Sequence, residues 1–124
     1  GFSWGAIPGV PFTAHDSRVR AMTSVVGGGL LSLLGKKLDP VSNVGRIAPR
    51  PLMFLNATKD QIVLRPFATA LHKAAGKDAI VKWYDTDHIF TGTDLPKIMG
   101  MLADFMKKSL TAQPAGGKLN CGGH

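Results

Sequence analysis

The stretch Leu52-Met53-Phe54-Leu55-Asn56-Ala57 constrains this chain more than any other. It is a short, nearly continuous apolar run between Pro51 and the polar Thr58-Lys59-Asp60-Gln61. Such a run suits a strand buried on both faces, which is the habit of parallel sheets covered by helices.

The flanking segments fit that scheme. Val19 to Val26 is mostly apolar and partly β-branched, and it predicts a strand ended by Gly27-Gly28-Gly29. Ile80 to Tyr84 predicts a third strand. Leu30 to Leu34, stopped by Gly35, reads as a short helix. Behind Pro66, residues Phe67, Ala70, Leu71 and Ala74 recur at helical spacing, and Gly76 closes that helix. Ile98, Met101, Leu102, Phe105 and Met106 form the apolar stripe of a last helix, capped by Thr93 or Asp94. The segment after Gly5 is also expected to be helical, but Pro8 and Pro11 predict a short, kinked or partly unwound one. The connection from Lys36 to Pro51 is long and is expected to hold one helical turn near Val44 to Ala48. Alternating strands and helices imply an α/β fold, with about three parallel strands joined by right-handed crossovers.

A chain of 124 residues supports one core. The Gly-rich stretch from Ser109 to His124 is expected to be disordered, which divides the chain into a domain over 1–110 and a tail over 111–124. No apolar run approaches the roughly 18 residues of a membrane span. The formal net charge is +7, yet the basic residues are scattered and no aromatic-basic stripe accompanies them. Nucleic acid is therefore not an expected partner. Cys121 is the single cysteine, so no internal disulfide forms, and no signal peptide is visible. Both points fit a cytoplasmic location. Cys121 and His124 together make a poor metal site, and no cofactor is expected.

Chemistry enters with Gly1-Phe2-Ser3-Trp4-Gly5, a Gly-x-Ser-x-Gly pattern. That pattern places a nucleophile on a tight strand-to-helix turn, with glycines where side chains would collide with neighbouring elements. The turn exposes the hydroxyl and aims a helix N-terminus at the reaction site. The N–H of Trp4 would then be an oxyanion donor. Parallel sheets bind ligands beyond the carboxyl ends of their strands. Asp60 follows the second complete strand and His88 the third, so Ser3, Asp60 and His88 are expected on one edge. Asp85 and Asp87 are rival acids, too near His88 in sequence to approach its far nitrogen easily. His15 and His72 read as surface residues.

Ser…Asp…His is the chain order of α/β-hydrolases. The chain resembles the C-terminal half of such an enzyme, of the dienelactone-hydrolase-like serine esterase kind. The resemblance rests on Gly1 to Gly5, on Ile47 to Val63 with its Pro49-Arg50-Pro51-Leu52 lead into the acid strand, and on Trp83 to His88. It implies a partial, three-layer α/β-hydrolase fold. It also implies a catalytic triad of Ser3 as nucleophile, His88 as general base and Asp60 as orienting acid, cleaving small carboxylic esters through an acyl-enzyme. The family's N-terminal half, with its second oxyanion donor, has no counterpart in the sequence. An open edge on the Val19–Val26 strand is accordingly expected to drive homo-oligomerisation. The alternative reading is a non-catalytic fragment or interaction module derived from an α/β-hydrolase.

Overall fold

A computed structural model describes residues 1–29 and 35–112. The helix expected over residues 30–34 lies outside the described residues. Three strands, β1 (Met22–Val25), β2 (Leu52–Ala57) and β3 (Ile80–Tyr84), form one sheet in the order β1-β2-β3. Both pairings are parallel, with Met22 opposite Leu52 and Ala57 opposite Tyr84. The two later strands match the sequence boundaries, and every residue of β2 is buried.

β1 is shorter than the predicted Val19–Val26. At its start, the carbonyl of Val19 accepts from Arg50 Nη1 at 2.8 Å, and the Val19 N–H donates to the carbonyl of Asp16. Those bonds hold Val19 in a turn and out of the ladder. At its end, Val26 adopts φ +45°, which takes the chain out of the extended region.

Helices cover both faces. α1 (Ala6–His15), α2 (Pro40–Val44) and α3 (Arg65–Ala75) lie on one side, where Val10, Val44, Ile47, Leu71 and Ala75 pack against Met22, Leu52 and Phe54. α4 (Leu95–Thr111) covers the other, placing Ile98, Met101, Leu102 and Phe105 against Met53, Leu55 and Ala57. Burying each large apolar side chain contributes about 1.5–3 kcal/mol, and Phe54, Leu55, Ile47 and Leu71 are fully buried. The architecture is the expected three-layer α/β arrangement.

Three local details differ from expectation. α1 spans ten residues despite Pro8 and Pro11. Pro8 falls in the first turn, where N–H groups lack intrahelical partners, while Pro11 and Val10 are buried, so packing outweighs the lost bond. The helical turn in the long connection comes earlier than Val44 to Ala48. Asp39 caps it by accepting from the N–H of Ser42 at 2.8 Å, and Pro40 opens it. Finally, α4 runs to Thr111, past Ser109, which is buried on the helix and donates from Oγ to the carbonyl of Phe105 at 2.7 Å. Residues 113–124 lie outside the described residues.

Candidate active site

Gly1 and Phe2 form a strand stub beside β1. The carbonyl of Gly1 accepts from the N–H of Val25 at 2.9 Å, and Phe2 forms a parallel bridge with Val25. The outer edge of β1, expected to be open, is thus partly covered. From this stub the chain turns at Ser3, whose φ is +48°. Side chains rarely occupy that region, and such conformations concentrate at functional sites. A single 3-10 turn, Ser3–Gly5, then leads directly into α1.

The glycines on either side of Ser3 are not equivalent. A Cβ on Gly1 would sit 2.6 Å from the carbonyl oxygen of Gly5 and 2.7 Å from Cα of Ala6. The tight turn therefore requires glycine there. A Cβ on Gly5 would meet nothing within 4 Å, and its φ of −70° is open to any residue. The crowding expected on both sides holds at Gly1 alone.

The structure brings Ser3, His88 and Asp60 together. Ser3 Oγ lies 2.8 Å from His88 Nε2, and His88 Nδ1 lies 2.7 Å from Asp60 Oδ2. With the proton on Nδ1, donated to the carboxylate, Nε2 is left to accept the Ser3 hydroxyl proton. The side chain of Asp60 is 2% exposed and that of His88 12%. A carboxylate so buried needs partners. Oδ1 of Asp60 accepts from the N–H groups of Ile62 and Val63, both at 2.8 Å. Sequence reasoning passed over these two donors, although an Asp bonding to the backbone two residues on is ordinary Asx-turn chemistry.

The rival acids are engaged elsewhere. Asp85 accepts from Thr58 Oγ1 at 2.9 Å and from Lys59 Nζ at 3.2 Å, and both lower its pKa. Asp87 Oδ1 accepts from the N–H groups of Ile89 and Thr91, and the Thr91 bonds lower its pKa.

Trp4 occupies the second position of the 3-10 turn, where the backbone N–H has no partner inside the helix. Trp4 is 75% exposed. The helix N-terminus beside Ser3 also favours developing negative charge.

His15 is exposed, as expected, and meets Asn43 Oδ1 at 3.0 Å. His72 is not the surface residue expected. Its ring packs between Phe54 and Trp83, and its Nε2 lies 2.8 Å from Oδ1 of buried Asn56. Burial pushes its pKa down to about 4. The helical pattern hid this because His72 follows Leu71 at the margin of the buried stripe. Among the described residues, no group of three His, Cys, Asp or Glu side chains could hold a metal ion. No described helix is long and apolar enough to cross a membrane.

No family model matches the chain, and no curated protein matches it by sequence. Solved structures do match. The esterase domain of a Rhodothermus marinus protein superposes with TM-score 0.68 at 17% identity, covering 89% of this chain and 58% of its own. A cold-adapted esterase from an Arctic intertidal metagenomic library gives 0.74 at 20% identity, covering 90% and 48%. A dienelactone hydrolase candidate from Klebsiella pneumoniae gives 0.62 at 21%, covering 86% and 50%. The chain therefore has part of the α/β-hydrolase fold, and it spans about half the length of these structures.

Proposed function

We propose that this chain carries the catalytic triad of a serine carboxylesterase acting on small carboxylic esters. The observation that carries the proposal is the unbroken series from Asp60 through His88 to Ser3, with 2.7 Å and 2.8 Å links. Fold likeness to esterases supports it.

In this reading, Ser3 Oγ attacks the ester carbonyl carbon as its proton passes to His88 Nε2. Asp60 holds the imidazole tautomer and stabilises the imidazolium. The carbonyl oxygen becomes an oxyanion and takes the Trp4 N–H. His88 returns the proton to the departing alkoxide as the C–O bond breaks, leaving acyl-Ser3 and an alcohol. Water then attacks the acyl carbon and gives its proton to His88, which passes it back to Ser3 as the acid leaves. One preorganised donor of this kind is worth about 3–4 kcal/mol, on the order of 10²- to 10³-fold in rate.

The test is reaction with a fluorophosphonate probe, with the adduct located by mass spectrometry, alongside hydrolysis of p-nitrophenyl acetate. An adduct on Ser3 and hydrolysis lost in Ser3→Ala support the proposal. Full hydrolysis in Ser3→Ala overturns it. The second reading, an interaction module, draws on the exposure of Phe2, Trp4, Ile62 and Ile89, all within two residues of a triad member. It predicts no adduct on Ser3.

A further inference from the structure

Among the described residues, three non-glycine residues have positive φ: Ser3, Val26 and Phe90, at +48°, +45° and +60°. Ser3 belongs to the nucleophile turn and Val26 ends β1. Phe90 lies two residues beyond His88, in the turn that carries the imidazole, and the triad does not account for its strain. A bulky residue in that region costs free energy and persists only where its surroundings over-determine it.

The surroundings do so here. The Phe90 side chain is buried in the cluster of Val26, Met53, Leu55, Ala57 and Ile98 between sheet and α4. Its ring meets Tyr84, at the end of β3, edge-on with centroids 5.6 Å apart. Its N–H donates to the carbonyl of Asp87 at 3.1 Å, and its carbonyl accepts from Thr93 Oγ1 at 2.7 Å. Across the turn, buried Thr86 donates from Oγ1 to the carbonyl of Thr91 at 2.8 Å. Asp87, between Thr86 and His88, accepts from the N–H groups of Ile89 and Thr91. Ile89 is 68% exposed and Phe90 3%, so the turn carries a deep anchor directly beside an outward-facing residue. His88 has hydrogen-bond partners on both ring nitrogens, and each sits on a different element. An imidazole that must satisfy two fixed partners at once tolerates little movement of its backbone.

We propose that Phe90 is a positioning residue. Its buried ring, seated with a left-handed backbone and braced across the turn by Thr86, holds His88 so that Nε2 faces Ser3 while Nδ1 faces Asp60. The inference rests on the esterase reading for its kinetic consequence, and on the hydrogen-bonded geometry alone for its structural one.

Two readouts separate those parts. The first is exchange of the His88 Nδ1 proton with solvent, followed by NMR in the full chain, which needs no turnover. The second is the rate of fluorophosphonate labelling at Ser3. Phe90→Ala removes the anchor, Phe90→Leu retains an apolar one, and Thr86→Val removes the brace at nearly constant volume. Ile98→Ala opens the same cluster from α4, away from the turn. Phe90→Ala is expected to speed Nδ1 proton exchange at least tenfold and to slow labelling about 10- to 100-fold. Phe90→Leu should restore both to within about threefold of the parent, and Thr86→Val should slow labelling about three- to tenfold. Ile98→Ala should leave both within about twofold, although it lowers the melting temperature.

Should Phe90→Ala not fold, the Thr86→Val and Phe90→Leu results decide alone. Unchanged exchange in Thr86→Val, or Nδ1 exchange in Phe90→Leu tenfold or more faster than in the parent, overturns the proposal. Equal effects of Phe90→Ala and Ile98→Ala also overturn it, since general loosening then explains both. If the parent protein shows the protected Nδ1 proton but no label on Ser3, the esterase reading fails and the exchange series still decides the role of Phe90.

Discussion

Asp60 divides its two carboxylate oxygens between backbone and imidazole: Oδ1 accepts from the N–H groups of Ile62 and Val63, and Oδ2 lies 2.7 Å from His88 Nδ1. The first grip fixes the carboxylate and the second uses it to fix His88. An amide in its place could keep the backbone grip but would present a donor to Nδ1 and favour the wrong tautomer. Asp60→Asn is therefore expected to lower kcat about 10³- to 10⁴-fold with little change in KM, as measured by p-nitrophenyl acetate hydrolysis. A fall of less than tenfold would count against the triad.

Ser3→Ala and His88→Ala should each lower turnover to about the same small residual rate, on the order of 10³-fold or more below the parent. Since the residues act as a unit, the double variant should be no slower than either single variant by more than about threefold. Steady-state hydrolysis, with background subtracted, measures all three. Losses that multiply in the double variant would mean that the two side chains act independently.

The glycines flanking Ser3 should respond differently to alanine. At Gly1, the new Cβ would meet backbone atoms of Gly5 and Ala6 that cannot yield without moving the nucleophile turn. Gly1→Ala is expected to slow Ser3 labelling at least tenfold. At Gly5, the Cβ enters open space in a helical conformation, and losing glycine restricts the unfolded chain. Gly5→Ala should label within about twofold of the parent and gain about 0.4–1 kcal/mol in urea unfolding. Equal damage from both substitutions would contradict the observed asymmetry.

His72 gives the fold a pH dependence separate from the site. Burial lowers its pKa to about 4, whereas an unfolded histidine titrates near about 6.5. Between those values the unfolded chain binds the proton and the native chain does not. Stability is therefore lost as pH falls from about 6.5 towards 4. The ring is only half-buried, so solvent screening reduces the loss to about 1–2 kcal/mol. His72→Gln should flatten this part of the stability–pH curve, followed by urea unfolding at pH 7, 6, 5 and 4. A curve of unchanged slope would assign the loss to other groups.

The sequence by itself determined the parallel α/β scheme and the sheet edge on which Ser3, Asp60 and His88 meet. Those features follow from periodicity and chain order, which are local: the run Leu52 to Ala57 has to be buried on both faces, and the residues after parallel strands emerge at one end. Tertiary structure decided what depends on atoms distant in sequence. It occupied Asp85 and Asp87, which the sequence had already disfavoured, with Thr58, Lys59 and the turn backbone, and set Asp60 on His88 Nδ1. It shortened β1, because Arg50 takes the Val19 carbonyl. It drew His72 inward onto Asn56, between Phe54 and Trp83, although helical spacing left it at the margin. It also set Phe90 in a left-handed conformation that no pattern in Asp87-His88-Ile89-Phe90 announces. The physical reason is common to all four. Periodicity reports which face of an element is buried, whereas hydrogen-bond partners and strained backbone angles are set by packing among elements that are far apart along the chain.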